Sequence, residues 1–256
     1  MTRQRPLAAL LCAALLAACG ENAVQDITAP LPAARIKFFN FGVNAPGVNF
    51  YANAVKMTAI TSATGTEAVT GTAYGLPGAG GFYSALEPGQ YEFSGKIAAA
   101  TDKDLAITKV MATLADGKSY SFFVSGAYDA TAKTAEGFVV EDPLAATIDY
   151  TTAYVRFVNA IPNAQPMTLY AKNTTTAAEV AVGAAVAYKG AGAFTALPNG
   201  SYDLGTRVAG SATNVIARTA VSFSAGRVYT IGARGDITVT STTLATRPIL
   251  DNTANR

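Results

Sequence analysis

Apolar and polar residues alternate along several short stretches of the chain. Ile36 and Phe38 flank Lys37, Tyr91 and Phe93 flank Glu92, and Tyr120, Phe122 and Val124 are separated by Ser121 and Phe123. A period of two sends successive side chains to opposite faces of an extended backbone, so each stretch predicts a strand with one buried face. Lys37 and Arg156 are then expected to face solvent. Leu105 to Leu114 also fits helical spacing through Ile107, Val110, Met111 and Leu114. A later counterpart, Val215 to Phe223, is β-branched and ends at the same Gly-basic-x-Tyr turn, so both are expected to be strands. Gly, Pro, Asn and Asp turns at intervals of about ten residues predict antiparallel sandwiches.

The chain also repeats itself. Ala34 to Ala52 aligns without gaps on Ala153 to Ala171, pairing Asn40 with Asn159, Asn44 with Asn163 and Tyr51 with Tyr170. The match resumes at Leu86-Glu-Pro-Gly89-Gln-Tyr91 against Leu197-Pro-Asn-Gly200-Ser-Tyr202, and again at Gly117-Lys118-Ser-Tyr120 against Gly226-Arg227-Val-Tyr229. Three blocks in one order predict two tandem domains, 34–145 and 153–247, joined by 146–152. Within the Leu-x-x-Gly-x-Tyr blocks, Gly89 and Gly200 allow a positive φ at a tight turn. Tyr91 and Tyr202 resemble the tyrosine corner of immunoglobulin-like folds, where the hydroxyl bonds to backbone upstream. Stacking of these tyrosines on a sugar is the competing reading.

Val155-Arg156-Phe-Val-Asn159-Ala160-Ile-Pro162-Asn-Ala164, with the two turn motifs, resembles the bacterial family of domain of unknown function 4397. The first copy is looser: Ile36-Lys37 replaces Val-Arg, Phe41 replaces the Ala and Val43 stands where the Pro would be. The resemblance covers nearly all of 34–250. It implies an all-β chain of two tandem immunoglobulin-like antiparallel β-sandwiches, exported to the cell envelope, and no established activity. Asn40 and Asn159 stand where the family often has His.

The start of the chain carries an address. Arg3 and Arg5 precede an apolar stretch from Leu7 to Ala18, too short to span a bilayer. Leu16-Ala17-Ala18-Cys19 resembles the box of a bacterial lipoprotein signal, which implies cleavage after residue 18 and lipid on Cys19. Residues 20–34, with two prolines and no periodicity, read as a tether. Gly20 directly after the Cys, and Glu21 rather than Asp next, imply the outer membrane of a Gram-negative bacterium. Loss of Arg3 and Arg5 from 19 Lys+Arg leaves the basic residues equal to the 17 Asp+Glu. Attachment must then come from acyl chains rather than from a polybasic patch, and nucleic acid is excluded as a partner.

The chain has no His and no Trp, and its 2 Cys are Cys12 and Cys19. No Gly-x-Ser-x-Gly elbow and no phosphate-binding glycine spacing is present; Gly75, Gly78, Gly80, Gly81, Gly190 and Gly192 read as turns. No catalytic residue, metal ligand or cofactor is assigned. The acids Glu92 and Asp203, at equivalent positions, and the pairs Asp102/Asp104 and Glu141/Asp142 are expected on solvated strands or loops, with calcium contact the alternative. Two functions remain. The first is a non-catalytic envelope lipoprotein that meets an envelope protein or glycan through the loops 58–81 and 173–192. The second is a carboxylate hydrolase of envelope polysaccharide, which needs two acids roughly 5 to 9.5 Å apart in one cleft.

Overall fold

A computed structural model describes residues 34–59 and 65–255. The expected signal 1–18, Cys19 and the tether through residue 33 lie outside the described residues, as do residues 60–64 of the first expected binding loop.

The first sandwich is built from β1 (Ala34–Asn40), β2 (Val48–Ala52), β3 (Val55–Lys56), β4 (Ser84–Leu86), β5 (Gly89–Ile97), β6 (Ala106–Leu114), β7 (Ser119–Asp129) and β8 (Thr134–Asp142). One sheet runs β4-β1-β7-β8 and the other β3-β2-β5-β6. The second sandwich uses β9 (Thr152–Asn159), β10 (Met167–Asn173), β11 (Glu179–Val186), β12 (Gly190–Ala191), β13 (Thr195–Pro198), β14 (Gly200–Val208), β15 (Ile216–Phe223), β16 (Val228–Arg234) and β17 (Ile249–Ala254). Its sheets repeat the same order, β12 and β13 beside β9, then β16 and β17, facing β11-β10-β14-β15. β17 carries the second sandwich past residue 247, the boundary expected from the repeat, because Ile249 to Ala254 complete the sheet against Tyr229 to Arg234. The ambiguous stretch over Leu105–Leu114 is strand β6, zipped along β5 from Gly89 to Lys96. One pair in each sandwich, β1–β7 and β9–β16, runs parallel. Alternation reports burial and carries no information on strand direction, so that feature was not legible beforehand.

Each sandwich has its own core of inward-facing positions. Ile36, Phe38, Phe50, Phe93 and Phe122 fill the first, with the Phe38 ring 5.1 Å from Phe50. Val155, Phe157, Leu169, Tyr202 and Ile231 fill the second. The opposite phase of β1, β7 and β9 is buried as well. Phe39, Phe41, Phe123 and Phe138 form a third apolar cluster with Val158 and Ala160 of the second sandwich. Phe123 stacks between Phe39, at 4.6 Å, and Phe138, at 4.9 Å. The sizes are complementary. Phe41 lies so close over Gly232 that a Cβ there would meet its ring at 2.7 Å. Both faces of these central strands are therefore dry, one in a core and one in the seam between the sandwiches.

The segment 173–192, expected to be a loop, is largely strand: β11 spans Glu179–Val186 and pairs with β10, and Gly190 and Ala191 pair with β9. A register shift opposite Met167 to Leu169 and a positive φ of 73° at Gly183 break the alternation there. A bulge of this kind hides a strand from a period-two reading. Tyr188 and Lys189 of the same segment join the seam, through a 3.0 Å contact of Tyr188 Oη with Ser125 Oγ and an ion pair of Lys189 with Glu136 at 2.5 Å.

Candidate functional site at the seam between the sandwiches

Lys37 and Arg156 are not solvent-facing. They are 1% and 0% exposed. The outward face of β1 and β9 is covered by the other sandwich, so the alternation was right and the inference that outward means wet was not. The two residues hold the same register position, Lys37 opposite Ser121 and Arg156 opposite Thr230. Each reaches across the seam to the last strand of the other sandwich. Arg156 Nη1 donates to Glu141 O at 2.8 Å, Nη2 pairs with Asp142 Oδ1, and Nε donates to Thr230 Oγ1 at 3.0 Å. Lys37 Nζ donates to Ala254 O at 2.5 Å.

The surroundings match in pairs. Arg156 lies over the ring of Phe194 at 5.0 Å, and Lys37 over that of Tyr83 at 4.4 Å. Two sandwiches of one topology thus embrace with approximate two-fold reciprocity, and around Lys37 and Arg156 the reciprocity fails in charge. Arg156 has Asp142; the position that answers to Asp142, directly after β17, is Asn255. Asp142 is fully buried, contrary to its expected place on a solvated pair with Glu141. Its Oδ2 accepts from Tyr83 Oη at 2.6 Å and Ser121 Oγ at 2.8 Å. Asn255 Nδ2 donates to Tyr83 Oη at 2.9 Å. Glu141 instead turns outward to Lys118 at 2.9 Å.

Burial lowers Lys37 from 10.5 to about 8; the Asp142 charge opposes that shift and Arg156 adds to it. Burial also pushes the Tyr83 phenol well above its ordinary value, with Asp142 adding to the effect. Tyr83 therefore stays protonated and contributes no negative charge, and the buried network of Lys37, Arg156 and Asp142 holds two cations and one carboxylate.

A cleft of about 480 Å³ opens beside this network. Lys37, Tyr83 and the residues Asp251 to Asn255 of β17 and its end line it, with Phe39, Phe41, Phe82 and Arg227. Phe82 is 77% exposed. The 3-10 turn Gly78–Gly81 shapes one wall, and Gly80 and Gly81 need their positive φ of 65° and 80° there. Part of the expected loop 58–81 thus borders the cleft. Asp251, the acid on the wall, is committed to Arg234 Nε at 2.5 Å.

The other acids singled out from the sequence are dispersed. Glu92 pairs with Lys109 at 3.2 Å, and Asp203 Oδ1 accepts from the Ala220 amide at 3.0 Å. Asp102 holds Lys133 at 2.6 Å, and Asp104 accepts from Tyr51 Oη at 2.9 Å. Among the described residues, no three His, Cys, Asp or Glu side chains cluster as metal ligands would. The turn tyrosines bond upstream to backbone: Tyr91 Oη donates to Glu87 O at 2.9 Å and Tyr202 Oη to Pro198 O at 2.8 Å. Gly89 and Gly200 take φ of 155° and 153° before them. Asn40 and Asn159 are buried braces. Asn40 Nδ2 donates to Thr72 O at 2.9 Å, and Asn159 Oδ1 accepts from the Ile161 amide at 3.0 Å.

The family comparison bears on the second sandwich. Residues 153–256 match the model of a domain of unknown function, DUF4397. No curated protein matches the chain.

Proposed function

We propose that the chain is a non-catalytic module of the cell envelope, held to the outer membrane by lipid on Cys19, whose two sandwiches act as one rigid body to capture an envelope protein or glycan. The first sandwich is read as a diverged repeat of the family matched by the second, a reading supported by identical strand order and by equal registers at Lys37 and Arg156.

The observation that carries this function is the deployment of the carboxylates. The buried acid of the seam, the acid on the cleft wall and the two acids at equivalent strand positions are all engaged in holding structure: Asp142 on Arg156, Asp251 on Arg234, Glu92 on Lys109, Asp203 on a backbone amide. A glycosidase needs an acid and a base or nucleophile facing one cleft. The capture surface in this reading is the seam cleft with its bordering loop, on a scaffold stiffened by the third apolar cluster.

Metabolic labelling with a clickable fatty acid tests the anchor. Labelled protein in the membrane fraction, with both label and membrane retention lost in Cys19→Ser, is the expected result; retention of Cys19→Ser in the membrane fraction overturns it. Turnover of peptidoglycan that disappears in Glu92→Gln or Asp203→Asn would overturn the non-catalytic assignment.

A further inference from the structure

The two-fold reciprocity of the seam leaves one cation without its acid. Arg156 is matched by Asp142, while Lys37, at the same register position, faces β17, directly followed by Asn255 in place of an acid. Among the described residues no carboxylate lies within ion-pair distance of Lys37 Nζ, whose hydrogen-bond acceptor is the neutral Ala254 carbonyl. An ammonium buried to 1% exposure with half of a shared counter-charge is costly. Arg156 is fully buried and does not line the cleft. Lys37 forms part of the wall of the open cleft, and Arg227, exposed and likewise without an acid partner among the described residues, lies on the same wall. A ligand carboxylate entering the cleft would occupy the role that Asp142 plays for Arg156.

Two further features narrow the ligand. Phe82 presents its ring to the cleft mouth almost fully exposed, a platform for the C–H face of a sugar ring. Asn252 and Asn255, on and directly after the opposite strand, each hold a buried side-chain oxygen that no donor meets. Acceptors of that kind require N–H or O–H donors, which a polyhydroxylated ring brings and a plain organic acid does not. Cation, aromatic platform and spare acceptors together describe the recognition of an acidic sugar.

We propose that the cleft between the sandwiches is a binding site for a uronic acid residue of a glycan, its carboxylate neutralising Lys37 and Arg227, its ring on Phe82 and its hydroxyls on Asn252 and Asn255. The inference deepens the capture role above by naming the ligand class. It does not depend on the lipid anchor, which fatty-acid labelling reads separately.

The test is calorimetric titration of the full-length protein in detergent with three probes: a glucuronate-containing tetrasaccharide, a neutral glucose tetrasaccharide and benzoate. Saturable binding of the glucuronate oligomer alone is expected at pH 7, weakened at least about tenfold by Arg227→Ala, an exposed position that should not disturb folding. Asn255→Asp provides the second arm. It restores from within the acid that Arg156 already has, so it should weaken glucuronate binding at least about tenfold while leaving the protein folded. Equal binding of the neutral oligomer overturns the charge argument, and equal binding of benzoate overturns the sugar class. Absence of saturable glucuronate binding, or unchanged affinity in Asn255→Asp, overturns the site.

Discussion

Arg156 at the start of the second sandwich pairs with Asp142 at the end of the first, with both side chains fully buried. Nine residues of linker and turn, 143–151, separate the two strands that carry them, yet the contact is a tertiary clamp: Arg156 also takes the Glu141 carbonyl, so its guanidinium closes over the last two residues of β8. Truncating one member of a buried pair leaves the other charge without compensation. Arg156→Ala should therefore cost about 3 to 5 kcal/mol in urea denaturation, and Arg156→Lys should recover only part, since an ammonium cannot hold both acceptors and Thr230 in one plane. A loss under about 1 kcal/mol for Arg156→Ala would show that the seam is wet.

Lys37 makes stability depend on pH with a defined sign. Its folded value is about 8 against 10.5 unfolded, so between those values the unfolded chain binds more protons and the folded state gains as pH rises. The lowered value corresponds to a penalty of roughly 3 kcal/mol below pH 8 that is relieved toward pH 10. Above about pH 10 the raised phenols of Tyr74, Tyr83 and Tyr188 act oppositely, because the unfolded tyrosines ionise first. The unfolding free energy should rise from pH 8 to 10 and then fall. Lys37→Met should flatten the rising limb; a limb unchanged in that variant would assign it elsewhere.

The fit of Phe41 over Gly232 can be broken from either side. Phe41→Ala empties a position 2% exposed and should cost about 3 to 5 kcal/mol. Gly232→Val pushes methyls into the Phe41 ring, 2.7 Å from the new Cβ, and should cost about 1 to 3 kcal/mol. Guanidinium denaturation of each variant, and of the double variant for coupling, reads both effects. Strictly additive losses would mean that the two positions do not touch.

The turn tyrosines differ in environment and should differ in effect. Tyr202 is 2% exposed and its hydroxyl is tied to Pro198 O, whereas the Tyr91 bond to Glu87 O is open to solvent. Tyr202→Phe should lose about 1 to 1.5 kcal/mol, and Tyr91→Phe about 0.5. Equal midpoints for the two variants in urea would show that burial does not scale these bonds.

How much was legible follows from which forces are local. Alternation at Ile36, Phe38, Phe122 and Val124 marks inward positions because burial on one face of a strand is a property of the strand itself, and the duplicated Leu-x-x-Gly-x-Tyr blocks mark the turns because positive φ is demanded locally at Gly89 and Gly200. Strand β11 escaped because a bulge at Gly183 breaks the period, and the parallel pairings escaped because direction leaves no trace in side-chain order. Lys37, Arg156 and Phe123 sit on the phase that a lone sandwich would leave to water, and nothing in a strand's own pattern says whether a second body will cover that face. The sequence by itself determined two sandwiches, their strands and their turns. Only the tertiary structure decided that their outer faces close on each other, turning outward residues into a dry seam, because the free energy of burying Phe39, Phe41, Phe123 and the Arg156–Asp142 pair is realised between different strands and different sandwiches, where no local periodicity can record it.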